Sequence, residues 1–264
     1  MAETVARACE AVLLTAEPRA KIMTARRVAR DWRLGRLDWA FDRAMPNRPA
    51  RPDAPLLLAP GKMPRRSRGG SEKGRIALLH ALAHIEFSAI DLAFDIAGRF
   101  GAEMPRTFID DWMRVGAEEA LHFALLDRRL AQFGSHYGAL PAHDGLWEAA
   151  FATRHDVAAR LAVVPLVLEA RGLDVTPQMI ERLRQVGDEP SARILSRIAD
   201  DEVKHVNAGV RWFENMAILR GFEPQATFQN LVRKHFTGAI KPPFNDSARR
   251  KAGLTREYYA ALAH

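Results

Sequence analysis

The sequence predicts an all-α protein built around a four-helix bundle. Three observations carry that expectation: long stretches after residue 71 with apolar residues at helical spacing, cap and glycine signals that punctuate them, and almost no strand-like alternation. With 264 residues and 48% hydrophobic content, the chain can also supply a substantial core.

The elements follow in order. The first 45 residues have helical periodicity through Val12, Ile22, Val28 and Trp32 among alanines and arginines. Prolines at 46, 49, 52, 55, 60 and 64 make residues 46–68 an extended strap, since proline fixes φ and pushes its predecessor out of the helical region. Helix one is expected from Ser71, a plausible N-cap, to about Arg99, and helix two from Pro105 to about Phe133, ahead of Gly134. A loop rich in Gly, His and Pro (134–145) precedes helix three, which should stop at Gly172. Thr176-Pro177 then opens a short helix to Val186, and Asp188-Glu189-Pro190 opens helix four, which reaches Arg220 before Gly221. The tail holds two shorter helical patterns on either side of Lys241-Pro242-Pro243. The expected organisation is a basic N-terminal extension (1–70), the bundle (71–221) and a short helical tail (222–264) packing on it.

Composition narrows the function classes. The net charge of +7 is uneven: residues 1–70 hold 15 Lys/Arg against 7 Asp/Glu, and the remainder is close to neutral. Such an arm could meet nucleic acid, but Arg-rich solvated surface is the commoner explanation, which leaves RNA binding a minor option. The single cysteine, Cys9, excludes an intrachain disulfide, a four-cysteine zinc site and a rubredoxin-type iron centre, so a metal would need oxygen and nitrogen ligands. No uninterrupted apolar run approaches the roughly 18–20 residues of a membrane helix, and the short run at residues 11–14 lacks a preceding basic cluster. A cytoplasmic protein without a membrane span is expected.

Two copies of Glu-x-x-His carry the chemistry: Glu119 with His122 in helix two, and Glu202 with His205 in helix four. Residues three apart share a helical face, so each pair presents a carboxylate and an imidazole to one point. A di-iron bundle takes such a motif from two helices and a lone Glu from each of the other two. Glu86 interrupts the apolar stripe of helix one, and Glu169 that of helix three, each 33 residues before the Glu of the following motif. A carboxylate on an apolar stripe needs a partner. Four carboxylates would neutralise two Fe(II) ions, and carboxylate with imidazole suits iron or manganese. Glu118 and Asp201, adjacent to the motif glutamates, could accept hydrogen bonds from metal-bound imidazoles, or could be solvated acidic flanks.

Other residues are weaker candidates. His80, His84 and Asp91 form a separate stripe more than a quarter turn from Glu86. That stripe could bind a separate metal, face the strap or line a dimer interface, the structural roles being favoured. Trp112 and Trp212 read as core. Pro165, one turn before Glu169, should interrupt helix three.

At Ala83-His84-Ile85-Glu86, Glu118-Glu119-Ala120-Leu121-His122, residues 168–174 (LEARGLD) and Asp201-Glu202-Val203-Lys204-His205 the sequence resembles the bacterial ferritin-like family filed as domain of unknown function 455. The segment 137–147 (YGALPAHDGLW) adds to the match, which runs from about Leu34 to the C-terminus. The resemblance implies a ferritin-like four-helix bundle and a di-metal centre, and implies no substrate. More distantly the arrangement is similar to tRNA-modifying di-iron hydroxylases, rubrerythrins and bacterial multicomponent monooxygenases. Cys9 alone cannot supply a rubrerythrin's second iron site. The three tyrosines, Tyr137, Tyr258 and Tyr259, lie off the ligand helices, unlike a radical-generating reductase subunit.

The leading expectation is a dioxygen-activating oxidoreductase with two iron ions, manganese being the alternative metal, held by Glu86, Glu119, His122, Glu169, Glu202 and His205. An external electron donor is expected, because no G-x-G-x-x-G fingerprint of a flavin or nicotinamide site is present. The protein should be a monomer or homodimer rather than a cage. The alternatives are a non-catalytic iron-handling or structural protein and, as a minor reading, a tRNA-base hydroxylase.

Overall fold

The structure, a computed structural model, describes residues 3–64 and 70–263. Among these every named element is helical, and the only β features are isolated bridges such as Leu57 with Ala142. The chain divides into two compact units, Met1–Trp147 and Glu148–His264.

The first unit holds α1 (Val5–Leu13), α2 (Pro18–Arg33), α3 (Glu72–Phe100) and α4 (Arg106–Gln132). Each start has a local cause. Thr4 caps α1, Glu17 caps α2 ahead of Pro18, and the Ser71 hydroxyl accepts the Gly74 N–H at 3.2 Å to cap α3. α3 packs along α4 and against α1, while α2 packs on α4. Gly116 permits the closeness of α3 and α4: a Cβ there would lie 2.5 Å from the Phe94 ring. By length and mean hydropathy Glu72–Glu103 could cross a membrane, although polar and charged residues interrupt its apolar run. Two thirds of its most apolar window (67%) is nevertheless buried within the protein, as a core helix requires.

The proline-rich strap is extended as expected and is tied down at intervals. Ala50 N–H donates to the Leu13 carbonyl at 2.8 Å, Arg99 to Pro46 at 2.9 Å, the Trp147 indole to Asn47 at 3.1 Å, and Leu58 N–H to Ala142 at 2.8 Å. The end of the expected strap, residues 65–69, lies outside the described residues. Arg51 of the strap reaches Asp91 on α3, which also meets Lys21 of α2. Lys21 and Asp91 are fully buried, and Lys21 donates in addition to the Val12 carbonyl at 3.1 Å. Burial pulls the Lys21 ammonium below its ordinary range, against the opposing pull of Asp91.

α5 (Gly145–Ala152) spans the point in the sequence where one unit gives way to the next. The second unit contains α6 (Val157–Val163), a π-helical turn (Val164–Glu169), α7 (Ala170–Gln185), α8 (Glu189–Leu219), α9 (Pro224–His235), α10 (Asp246–Lys251) and α11 (Arg256–Tyr259). Helix three therefore differs from expectation twice. It breaks at residues 153–156, where Asp156 caps α6 by accepting the Ala158 N–H at 3.1 Å. The buried Arg160 ties the break together by donating to the Ala150 carbonyl at 2.6 Å and to the Thr153 hydroxyl at 3.2 Å.

It also fails to stop at Gly172: α7 continues through Gly172 and Pro177 to Gln185. Pro177 has no N–H for the carbonyl of Leu173, four residues earlier. The Asn245 side chain donates to that carbonyl at 3.1 Å instead, while Asn245 N–H and a bidentate Arg249 (2.8 and 2.7 Å) satisfy Asp174. The tail thus mends the helix at its weak point. Pro165 does interrupt the helix, as a widened π turn that ends on Glu169. Gly209 of α8 makes room for it, since a Cβ there would sit 2.5 Å from Pro165 Cβ.

Candidate metal centre

In the first unit the fold brings Glu86 of α3 together with Glu119 and His122 of α4. All three are buried, at 4%, 1% and 0% exposure. His122 Nδ1 lies 3.1 Å from Glu86 Oε2 and 3.4 Å from Glu119 Oε2, and one ligand atom from each residue falls within 4.8 Å of the others. Gly116, one turn before Glu119, sets the closeness of α3 and α4 on which this meeting depends.

The electrostatics are those of a site that needs a cation. Burial, and next the neighbouring Glu119 charge, raise the Glu86 carboxyl well above the ordinary carboxylate range, although His122 counteracts them. Burial disfavours a charged His122 imidazole, but the hydrogen bonds and charges of Glu119 and Glu86 outweigh it and push the group up to about 11. A proton on His122 thus supplies the positive charge that these carboxylates demand. Two carboxylates and an imidazole at this separation are a donor set for a divalent metal such as iron or manganese, and the residues fit one.

In the second unit Glu202 and His205 share one face of α8, with His205 Nδ1 3.4 Å from Glu202 Oε1. His205 is buried and Glu202 half-buried, and Glu169 is half-buried at the end of the π turn. Asp201, 1% exposed, accepts from Arg197 Nε at 2.6 Å and Lys204 Nζ at 2.8 Å on its own helix. Glu118 is half-buried on α4.

Residues 14–260 match the family model described as protein of unknown function (DUF455). The chain belongs to the DUF455 family. A relative described as an uncharacterized protein from Haemophilus influenzae (strain ATCC 51907 / DSM 11121 / KW20 / Rd) is 43% identical over 211 residues, covering 78% of this chain and 73% of that relative. No solved structure matches significantly.

The weaker candidates of this DUF455 chain find structural partners. His84 Nε2 donates to the His143 carbonyl at 3.1 Å, so its Nδ1 accepts from the Tyr137 hydroxyl at 2.9 Å. His80 Nε2 accepts the Gly138 N–H at 2.9 Å and faces the Leu140 N–H at 3.4 Å. Asp91 is held by Lys21 and Arg51. Sequence reasoning undervalued Tyr137. Though off the ligand helices, its ring packs 5.2 Å from Phe87 and 5.0 Å from Phe123, the chain neighbours of Glu86 and His122. The aromatic residues immediately following two candidate ligands were the available signal. Trp112 and Trp212 are core, at 2% and 5% exposure.

Proposed function

We infer that this DUF455 protein is a ferritin-like di-iron carboxylate oxidoreductase that uses dioxygen to oxidise an organic substrate. The observation that carries this reading is the buried meeting of Glu86, Glu119 and His122, two carboxylates on one imidazole nitrogen. The same order of residues recurs in the second unit, with Glu169 standing 33 residues before Glu202 as Glu86 does before Glu119. The proposed ligands are therefore Glu86, Glu119, His122, Glu169, Glu202 and His205, with residues 71–221 read as a ferritin-like four-helix bundle.

Bound iron would supply oxygen reduction and the oxidising power for the substrate. The chain's own contributions are readable in the first unit. Nδ1 is the His122 nitrogen turned toward both carboxylates, and it would have to be free of its proton to hold a metal there. Glu86 and Glu119 bring the negative charge. Phe87 and Phe123, both fully buried, keep water from the flank of the trio on the Tyr137 side. Electrons come from a separate donor, and Glu118 and Asp201 are assigned to orienting the imidazoles.

Elemental analysis after anaerobic reconstitution with Fe(II) tests the reading. About two iron ions per chain are expected, and less than half an equivalent overturns the site. Glu86→Ala should lose metal while His84→Ala retains it, with the reverse result placing the wrong face of α3 at the centre. A loaded protein that never consumes oxygen in the presence of a reductant would refute the oxidoreductase and favour a non-catalytic iron protein.

A further inference from the structure

A second feature of the first unit has no place in the metal chemistry. A cleft of about 420 Å³ opens between Ala77, Ala81 and Ile85 of α3 and Leu140, Pro141 and Leu146 of the following loop. This volume lies in the range of small-molecule sites, roughly 300–1,000 Å³. Ile85 is 41% exposed, an apolar side chain facing outward on a helix that is otherwise deeply buried around it. With about 100° per residue, Ala77 and Ala81 project roughly 140–180° away from Glu86. The cleft is therefore on the opposite side of α3 from the proposed ligand.

Its polar lining has one chemical bias. Gly138 N–H donates to His80 Nε2, which places the His80 proton on Nδ1. Gly145 N–H donates to His143 Nδ1 at 3.3 Å, which places that proton on Nε2. Each imidazole thus carries an N–H on its other nitrogen. His84 is spent on Tyr137 and the His143 carbonyl. Lys73 adds a positive charge, and among the described residues no carboxylate lines the cleft. The walls are apolar, and the available polar groups are donors plus one cation.

We propose that this cleft binds a small amphiphile with an apolar body and a terminal carboxylate. The body lies along Ala77, Ala81, Leu140 and Leu146. The carboxylate accepts from the N–H groups of His143 and His80 and pairs with Lys73. Binding does not depend on the metal.

Isothermal titration of the full chain with octanoate, octan-1-ol and octylamine tests the proposal, on metal-free and on manganese-treated protein. Octanoate should bind at least tenfold more tightly than octan-1-ol, octylamine should show no saturable binding, and manganese should leave the octanoate affinity unchanged. Ala81→Trp, which fills the cleft, should abolish octanoate binding, and Lys73→Glu should weaken it at least fivefold. Both variants should retain wild-type circular dichroism. If Ala81→Trp does not fold, Ile85→Glu replaces it, since a carboxylate on that exposed position repels the ligand at the mouth. No saturable octanoate binding, equal binding of octylamine, or octanoate affinity unaltered in the folded variants overturns the proposal. A failure of metal uptake leaves these readouts intact, so the two readings stand or fall separately.

Discussion

Replacing Glu86 by Gln should reverse the stability order of wild-type and variant protein according to whether metal is present. Without a cation, Glu86 is buried beside Glu119, and burial followed by the Glu119 charge holds its carboxyl well above the ordinary carboxylate range. Taking a carboxylate charge out of water costs roughly several kcal/mol, which His122 offsets only in part. Gln keeps the shape and removes that cost, but gives up a charge-assisted hydrogen bond to His122, 3.1 Å away and worth about 1.5–3 kcal/mol. The balance favours Gln, so the metal-free variant should melt higher than wild type at pH 7. Because the raised carboxyl penalises the wild type only above its unfolded value, the advantage should vanish as pH falls toward 4.5. Manganese at one hundred times its dissociation constant should stabilise the wild type by about 2.7 kcal/mol and leave the variant unmoved. Differential scanning calorimetry with chelator and with Mn(II), at pH 7 and pH 5, reads all four states. A variant that melts well below wild type in chelator and still rises fully with manganese would refute the reasoning, because Glu86 would then be a structural residue.

Three further outcomes are expected. Gly116→Ala forces a Cβ to 2.5 Å from the Phe94 ring, and should cost about 1–3 kcal/mol in thermal unfolding while weakening manganese uptake by spreading α3 from α4. Arg249→Ala leaves Asp174, 5% exposed, without its bidentate partner, and should cost about 3–5 kcal/mol by urea titration, with added protease sensitivity in residues 170–185. Burial lowers His80 to about 4, below its unfolded value. Its contribution is therefore present above about pH 6.5 and is lost as pH falls toward 4, and His80→Gln should flatten that limb of the stability curve.

The legible parts of the fold are those whose causes lie nearby in the chain. Ser71 marks the start of α3 through its bond to Gly74, and Asp188 marks α8 through a 3.1 Å bond to Ser191 N–H, partners three residues away in each case. The trio Glu86, Glu119 and His122 was legible for a related reason: a polar intrusion into a helical apolar stripe is visible locally, and Glu-x-x-His specifies one face. What the sequence concealed depends on remote partners. Nothing local marks Lys21 as buried, because its counter-charge, Asp91, lies 70 residues on. Pro177 reads as a helix start until Asn245 takes the orphaned Leu173 carbonyl. The break at residues 153–156 is held by Arg160, whose reach back to Ala150 follows from tertiary packing rather than from any turn signature.

The repair of α7 by Asn245 has a consequence for how the chain is made. Translation delivers the N-terminal unit first, and domains generally fold as units as they emerge. Everything that assembles Glu86, Glu119 and His122 has been synthesised by Trp147. The second unit has no such independence, because Leu173 and Asp174 wait some seventy codons for Asn245 and Arg249 before α7 can pass Pro177 with its hydrogen bonds complete. The nascent protein therefore has a finished N-terminal unit with three potential ligands while the second unit is still incomplete, and the arrival of Asn245 and Arg249 decides when the helix that begins after Glu169 becomes continuous.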